Sequence, residues 1–117
     1  MLYTEILNNN RNFLTLYKQG KCIVSRFIVI YFKKNNLPCN RFGITVGKKS
    51  LKSAVSRNRA KRIIRQAYRE NEINMPIGID IVIVAKSLIC SVTSDEISRY
   101  LKKYGIPEIN SILSGKN

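Results

Sequence analysis

From residue 22 to residue 34 the chain reads CIVSRFIVIYFKK, dense in β-branched and aromatic residues, and this composition predicts one long strand. NNLPCN then turns the chain, and RFGITVGKK, residues 41–49, predicts a second strand that would pair with the first as a meander hairpin. Ahead of both, residues 9–19 predict a helix with a cap among the asparagines at 8–10 and a stop at Gly20. Its Phe13, Leu14, Leu16 and Tyr17 are too spread to share one narrow stripe. Over residues 53–71 the period changes: at about 100° per residue, Ala60, Ile63, Ile64 and Ala67 fall on one helical face together with Ser56. Pro76 bars continuation. IGIDIVIVAK, residues 77–86, is apolar on both strand faces except for Asp80, the pattern of a central strand covered on both sides. Thr93 with Glu96 three residues later reads as a capping box. Ile97, Tyr100, Leu101 and Tyr104 then form the stripe of a last helix stopped by Gly105, and residues 106–117 read as a flexible tail.

This order of elements predicts an α+β two-layer sandwich of about four strands, with an N-terminal helix, a central helix in a βαβ crossover and a C-terminal helix. By default that crossover would be right-handed. The 117 residues fit a single domain. The longest apolar run, residues 27–32, is far below the roughly 18 residues of a membrane span, so no membrane partner is expected. The N-terminus lacks a basic leader followed by an apolar stretch, which points to the cytoplasm. Cys22, Cys39 and Cys90 match no metal-knuckle or redox spacing and read as inert thiols.

Charge changes the picture. The chain carries 21 basic residues, 7 acidic ones and no histidine, for a net charge of +14. Between Ile6 and Arg69 lie 16 basic residues and no acidic one. Like charge over so long a stretch repels itself, so a polyanion, above all a nucleic acid, is the expected partner. The helix over residues 53–71 concentrates the excess: opposite its apolar face stand Asn58, Lys61, Arg62, Arg65 and Arg69, with Arg57 and Arg59 on the flanks. Lys48 and Lys49 precede it at the end of a strand, where they would either touch RNA or protect a sheet edge.

Catalytic chemistry is scarce. Without histidine the commonest general base and metal ligand is missing. The carboxylates form no pair at a cleft, and GITVGKKS lacks the glycine spacing of a phosphate loop. No catalytic residue and no metal ligand is assigned. The sequence suits binding, and any reacting groups would belong to a partner.

The stretch RFGITVGKKSLKSAVSRNRAKRIIRQAYR, residues 41–69, closely resembles the signature of the bacterial ribonuclease P protein component. The family's Arg-Asn-Arg core is matched by Arg57, Asn58 and Arg59, followed by Lys61, Arg62 and Arg65, with Gly43, Val46, Lys48, Lys49 and Ala54 upstream. Phe13, Tyr17 and Gly20 resemble its first-helix pattern, and Tyr31 its strand aromatic. The chain departs from many members at SLKS, residues 50–53, where a glycine is frequent, and at Tyr17, where phenylalanine is.

The resemblance implies a left-handed βαβ crossover, against the default. It also implies a catalytic RNA that uses Mg2+ to cut the 5′ leader from precursor tRNA, with this protein binding that RNA and the leader as a monomer within the particle. On that footing Arg57, Arg59, Lys61, Arg62 and Arg65 would contact phosphates, Asn58 a base or ribose, and Lys48, Lys49 and Arg69 would also bind RNA. Phe13, Tyr17 and Tyr31 read from spacing alone as core residues; the resemblance places them in an open cleft that stacks the leader. The rivals are a ribosomal or ribosome-assembly RNA-binding protein and a dimeric DNA-binding regulator.

Overall fold

The computed structural model describes residues 4–7 and 9–115. Five strands form one mixed sheet: β1 (Thr4–Ile6), β2 (Lys21–Val24), β3 (Ile28–Lys34), β4 (Asn40–Thr45) and β5 (Ile79–Ala85). Their spatial order is β1-β4-β5-β3-β2, with β1 and β5 parallel to β4, and β3 antiparallel to both β5 and β2. The helices are α1 (Asn10–Gln19), α2 (Ala54–Asn71), α3 (Ser94–Tyr100) and α4 (Ile106–Leu113).

Several expectations change. The run over residues 22–34 is not one strand but a hairpin of β2 and β3, because Ser25 turns the chain: its Oγ donates to the Ile28 carbonyl at 2.6 Å and accepts from the Ile28 N–H at 3.3 Å. β3 and β4 do not pair, since β5 lies between them. The sheet gains β1 as a fifth strand, so about four becomes five. Residues 106–113 are helical rather than loose tail, with Ile106 and Ile109 buried.

Gly105 is no stop, because the chain runs from α3 through a π-helical turn, Leu101–Gly105, into α4. A π-helical turn holds more residues per turn than an α-helix and shifts the phase of everything after it. Tyr104 therefore leaves the predicted stripe and is 56% exposed, while Tyr100 packs against the core.

The βαβ unit is β4-α2-β5, its strands adjacent and parallel. Ser53 caps α2 by accepting from the Ser56 N–H at 3.2 Å. Ala60, Ile63, Ile64 and Ala67 are buried as their spacing predicts, and Tyr68 and Asn71 join them. Tyr68 stacks on Phe42 of β4 with ring centroids 4.0 Å apart and planes at 8°. Asn71 Nδ2 donates to the carbonyls of Ala67 and Ser98 and to Ser98 Oγ, tying α2 to α3. Where the chain re-enters the sheet, buried Asn40 donates to the Pro76 carbonyl and accepts from the N–H groups of Gly78 and Ile79. Gly78 has φ +93 there, a conformation that L side chains rarely adopt.

The main core lies between α2, α3, α4 and one face of the sheet, where Ile28, Ile30, Phe32, Ile81 and Ile83 have no exposure. The other face carries a smaller cluster of Leu7, Leu16 and Val82, roofed among the described residues by α1.

Candidate nucleic-acid interface

The face beneath α1 follows from strand alternation, which sends every second side chain of β3, β4 and β5 away from the main core. There Tyr31, Thr45, Val82 and Val84 meet Phe13 and Tyr17, which α1 presents one helical turn apart. The Tyr17 and Tyr31 rings meet edge to face, centroids 4.9 Å apart at 75°, and Phe13 lies 6.4 Å from Tyr17. Tyr17 Oη and Thr45 Oγ1 share a hydrogen bond of 2.6 Å, which fixes the Tyr17 ring against β4. All three aromatics are half-buried. Of the four apolar residues too spread for one stripe, Leu14 is the exposed one.

Burial is the main force that raises the Tyr31 phenol above its usual range, and the neighbouring Cys22 thiol adds to it. Cys22 stands directly across from Tyr31 in the β2–β3 ladder. Gly43 of β4 makes room for Phe13: a Cβ at Gly43 would lie 2.6 Å from Phe13 Cζ.

At the other end of this face Arg41 Nε and Nη2 donate to the two oxygens of Asp80 at 2.7 and 2.6 Å, and Asn35 Nδ2 adds a third bond at 3.0 Å. The carboxylate raises the Arg41 guanidinium above its ordinary range. This bidentate pair holds β4 to β5 and takes Arg41 out of the free cations. Lys33 Nζ donates to Gln19 Oε1 at 2.8 Å, joining β3 to the end of α1.

The cationic residues gather on α2. Asn58, Arg59, Lys61, Arg62, Arg65 and Arg69 are exposed along its outer side, and among the described residues no carboxylate pairs with them. Arg62, Arg65 and Arg69 border a groove of 420 Å³ that reaches Ser94 at the start of α3. Lys48 and Lys49 are exposed, but β4 ends at Thr45, so they sit in the loop before α2 rather than at a strand end. Arg57 differs from its neighbours. It is half-buried, and its Nη1 donates to the carbonyls of Leu51 and Lys52 at 2.9 and 2.8 Å, so it braces the loop that carries the two lysines.

Sequence reasoning missed Thr45, Val82 and Val84 as members of the aromatic face. The alternation of Ile81 and Ile83 with Val82 and Val84 held that signal, but a strand apolar at both parities does not say which side stays partly open. Among the described residues no three His, Cys, Asp or Glu side chains are grouped to hold a metal ion, and no helix is long and apolar enough to cross a membrane.

A basic helix on one side of a sheet and a half-open aromatic face on the other is a two-surface arrangement, and the sequence and fold that carry it have known relatives. A model of the family described as Ribonuclease P matches residues 1–105. The chain belongs to the ribonuclease P protein family. The ribonuclease P protein component of Pelotomaculum thermopropionicum is 36% identical over 107 residues, covering 88% of this chain and 95% of that protein. That of Lachnoclostridium phytofermentans is 43% identical over 84 residues, 72% of each chain. The structure of Staphylococcus aureus RNase P protein superimposes with a TM-score of 0.75 at 29% identity, covering 90% of this chain and 94% of that one. The ribonuclease P family supplies the protein subunit of a ribonucleoprotein endoribonuclease, and this chain acts in tRNA 5′-end maturation as such a subunit, partnered by ribonuclease P RNA and precursor tRNA.

Proposed function

We propose that the outer side of α2 docks on the catalytic RNA while the face beneath α1 holds the single-stranded 5′ leader of precursor tRNA. The supporting observation is the separation of the two chemistries. Arg59, Arg62 and their neighbours offer unpaired cations for phosphates, with Asn58 among them able to bond a base or ribose. Phe13, Tyr17 and Tyr31 offer rings held at fixed angles, on which bases stack for about 1–3 kcal/mol each.

Lys48 and Lys49, on the loop braced by Arg57, extend the cationic surface. The protein works by binding, in the cytoplasm: its cations offset repulsion between two RNAs, and its cleft adds affinity that mature tRNA, lacking the leader, does not receive. Mg2+ and the cleavage chemistry belong to the RNA subunit.

The test adds purified protein to ribonuclease P RNA and precursor tRNA at low magnesium and measures 5′ cleavage. Wild type stimulates cleavage, and an Arg59→Ala, Arg62→Ala double variant loses most of that stimulation. Equal stimulation by the two proteins would show that the RNA docks elsewhere.

A further inference from the structure

The two surfaces lie on opposite sides of one sheet, and the sheet edge between them is open. β1 ends with Ile6 opposite Phe42, whereas β4 runs on to Thr45, so among the described residues no strand flanks β4 beyond Phe42 on that side. At this place a groove of 460 Å³ opens, within the roughly 300–1,000 Å³ of small-ligand sites. Its floor is apolar, made by Ile6, Phe42 and Ile44. One wall is cationic, made by Lys61, Arg65 and Arg69, which recur every four residues and so form a single stripe along α2. Phe13 lines its other end, over Gly43.

One observation joins this groove to the aromatic face, and a second marks it as a surface for a ligand. Phe13 belongs to both, since the ring that lines the groove also sits 6.4 Å from Tyr17. Ile6 is 76% exposed beside the cations, and a large apolar side chain on an edge strand is a surface that a ligand can cover. An apolar floor with a row of cations along one wall offers what an unpaired nucleotide needs, a surface for the base and partners for its phosphates.

We infer that this groove seats one unstacked nucleotide of the leader, the strand passing from Tyr31 and Tyr17 over Phe13 and round the open edge of β4. The inference rests on the proposed leader cleft and extends it. It divides the cations of α2 between two RNAs: Arg59 and Arg62 serve the catalytic RNA, while Lys61, Arg65 and Arg69 hold phosphates of the substrate strand. A leader too short to round the edge gains nothing from the groove.

The experiment compares holoenzyme affinity for mature tRNA, for precursor with a short leader that ends in the cleft, and for precursor with a leader several nucleotides longer. Ile6→Asn removes the apolar contact without adding charge, and because Ile6 is exposed the melting temperature should hold. Expected is a loss of about 5-fold for the long leader, with short-leader and mature affinities unchanged. Ile6→Tyr adds a ring at the same place and should strengthen the long leader alone, which keeps the question open to test if Ile6→Asn folds poorly. Unchanged long-leader affinity in both variants would overturn the inference. An equal loss on all three RNAs would also overturn it, assigning the groove to the RNA subunit. Tyr31→Ala, measured alongside, tests the cleft itself, since it weakens short and long leaders alike if the leader lies there, whatever Ile6→Asn does.

Discussion

The two faces of the sheet are built from alternate residues of the same strands, yet they are finished differently. On β3, Ile28, Ile30 and Phe32 are sealed under α2 and its neighbours, whereas Tyr31, between them in sequence, is only half-buried under α1. On β5, Ile81 and Ile83 meet the sealed side, while Val82 and Val84 meet the aromatic one. One side is covered by three helices, the other by a single helix of 10 residues. The sealed face holds most of the buried apolar side chains, whereas the other keeps its rings partly open to solvent.

The largest effect that can separate the faces is at Phe32, which has no exposure. Phe32→Ala should cost about 3–5 kcal/mol in denaturant unfolding, a large share of the roughly 5–15 kcal/mol of a typical domain. A loss under 1 kcal/mol would mean that this face is not the load it is taken to be.

Next comes the charge. In Arg59→Ala, Arg62→Ala, affinity for ribonuclease P RNA should fall, and the slope of log affinity against log salt should shrink by about 1.5, as expected for two phosphate contacts removed. An unchanged slope would show that these side chains do not meet phosphates.

Smallest is Tyr68→Phe, which deletes the 2.9 Å hydrogen bond to Thr4 and should cost about 1 kcal/mol. Burial raises the Tyr68 phenol above its usual value, with the Thr4 hydroxyl offsetting part of the rise. Its contribution is therefore whole below the unfolded pKa of about 10 and is lost as pH climbs from there through the higher folded value. Tyr68→Phe should flatten that alkaline fall in a pH series of unfolding curves.

Local patterns were legible in the sequence, and long-range pairings were not. The stripe Ala60, Ile63, Ile64, Ala67 and the cap at Thr93 depend on residues a turn apart, and they stand where the spacing put them. Nothing local says that β5 inserts between β3 and β4, or that Thr4–Ile6 adds an edge strand. The break at Ser25 was hidden because apolar residues continue on both sides of it. Gly105 looked like a helix stop, but its missing side chain serves close packing, since a Cβ there would lie 3.2 Å from Leu101 Cδ2. At the interface, the exposed arginines of α2 were readable from charge and period. Arg57's hold on the carbonyls of Leu51 and Lys52 depends on how the preceding loop folds back.

The most direct measurement is holoenzyme affinity for precursor and for mature tRNA with wild type and with Tyr31→Ala, alongside the melting temperature of each protein. If the half-open face serves the leader, Tyr31→Ala lowers precursor affinity by about 5- to 100-fold, leaves mature tRNA affinity unchanged and shifts melting far less than Phe32→Ala does. Undiminished discrimination between precursor and mature tRNA, with melting lowered as much as by Phe32→Ala, would instead make Tyr31 a core residue and contradict the division of the sheet into a structural and a binding face.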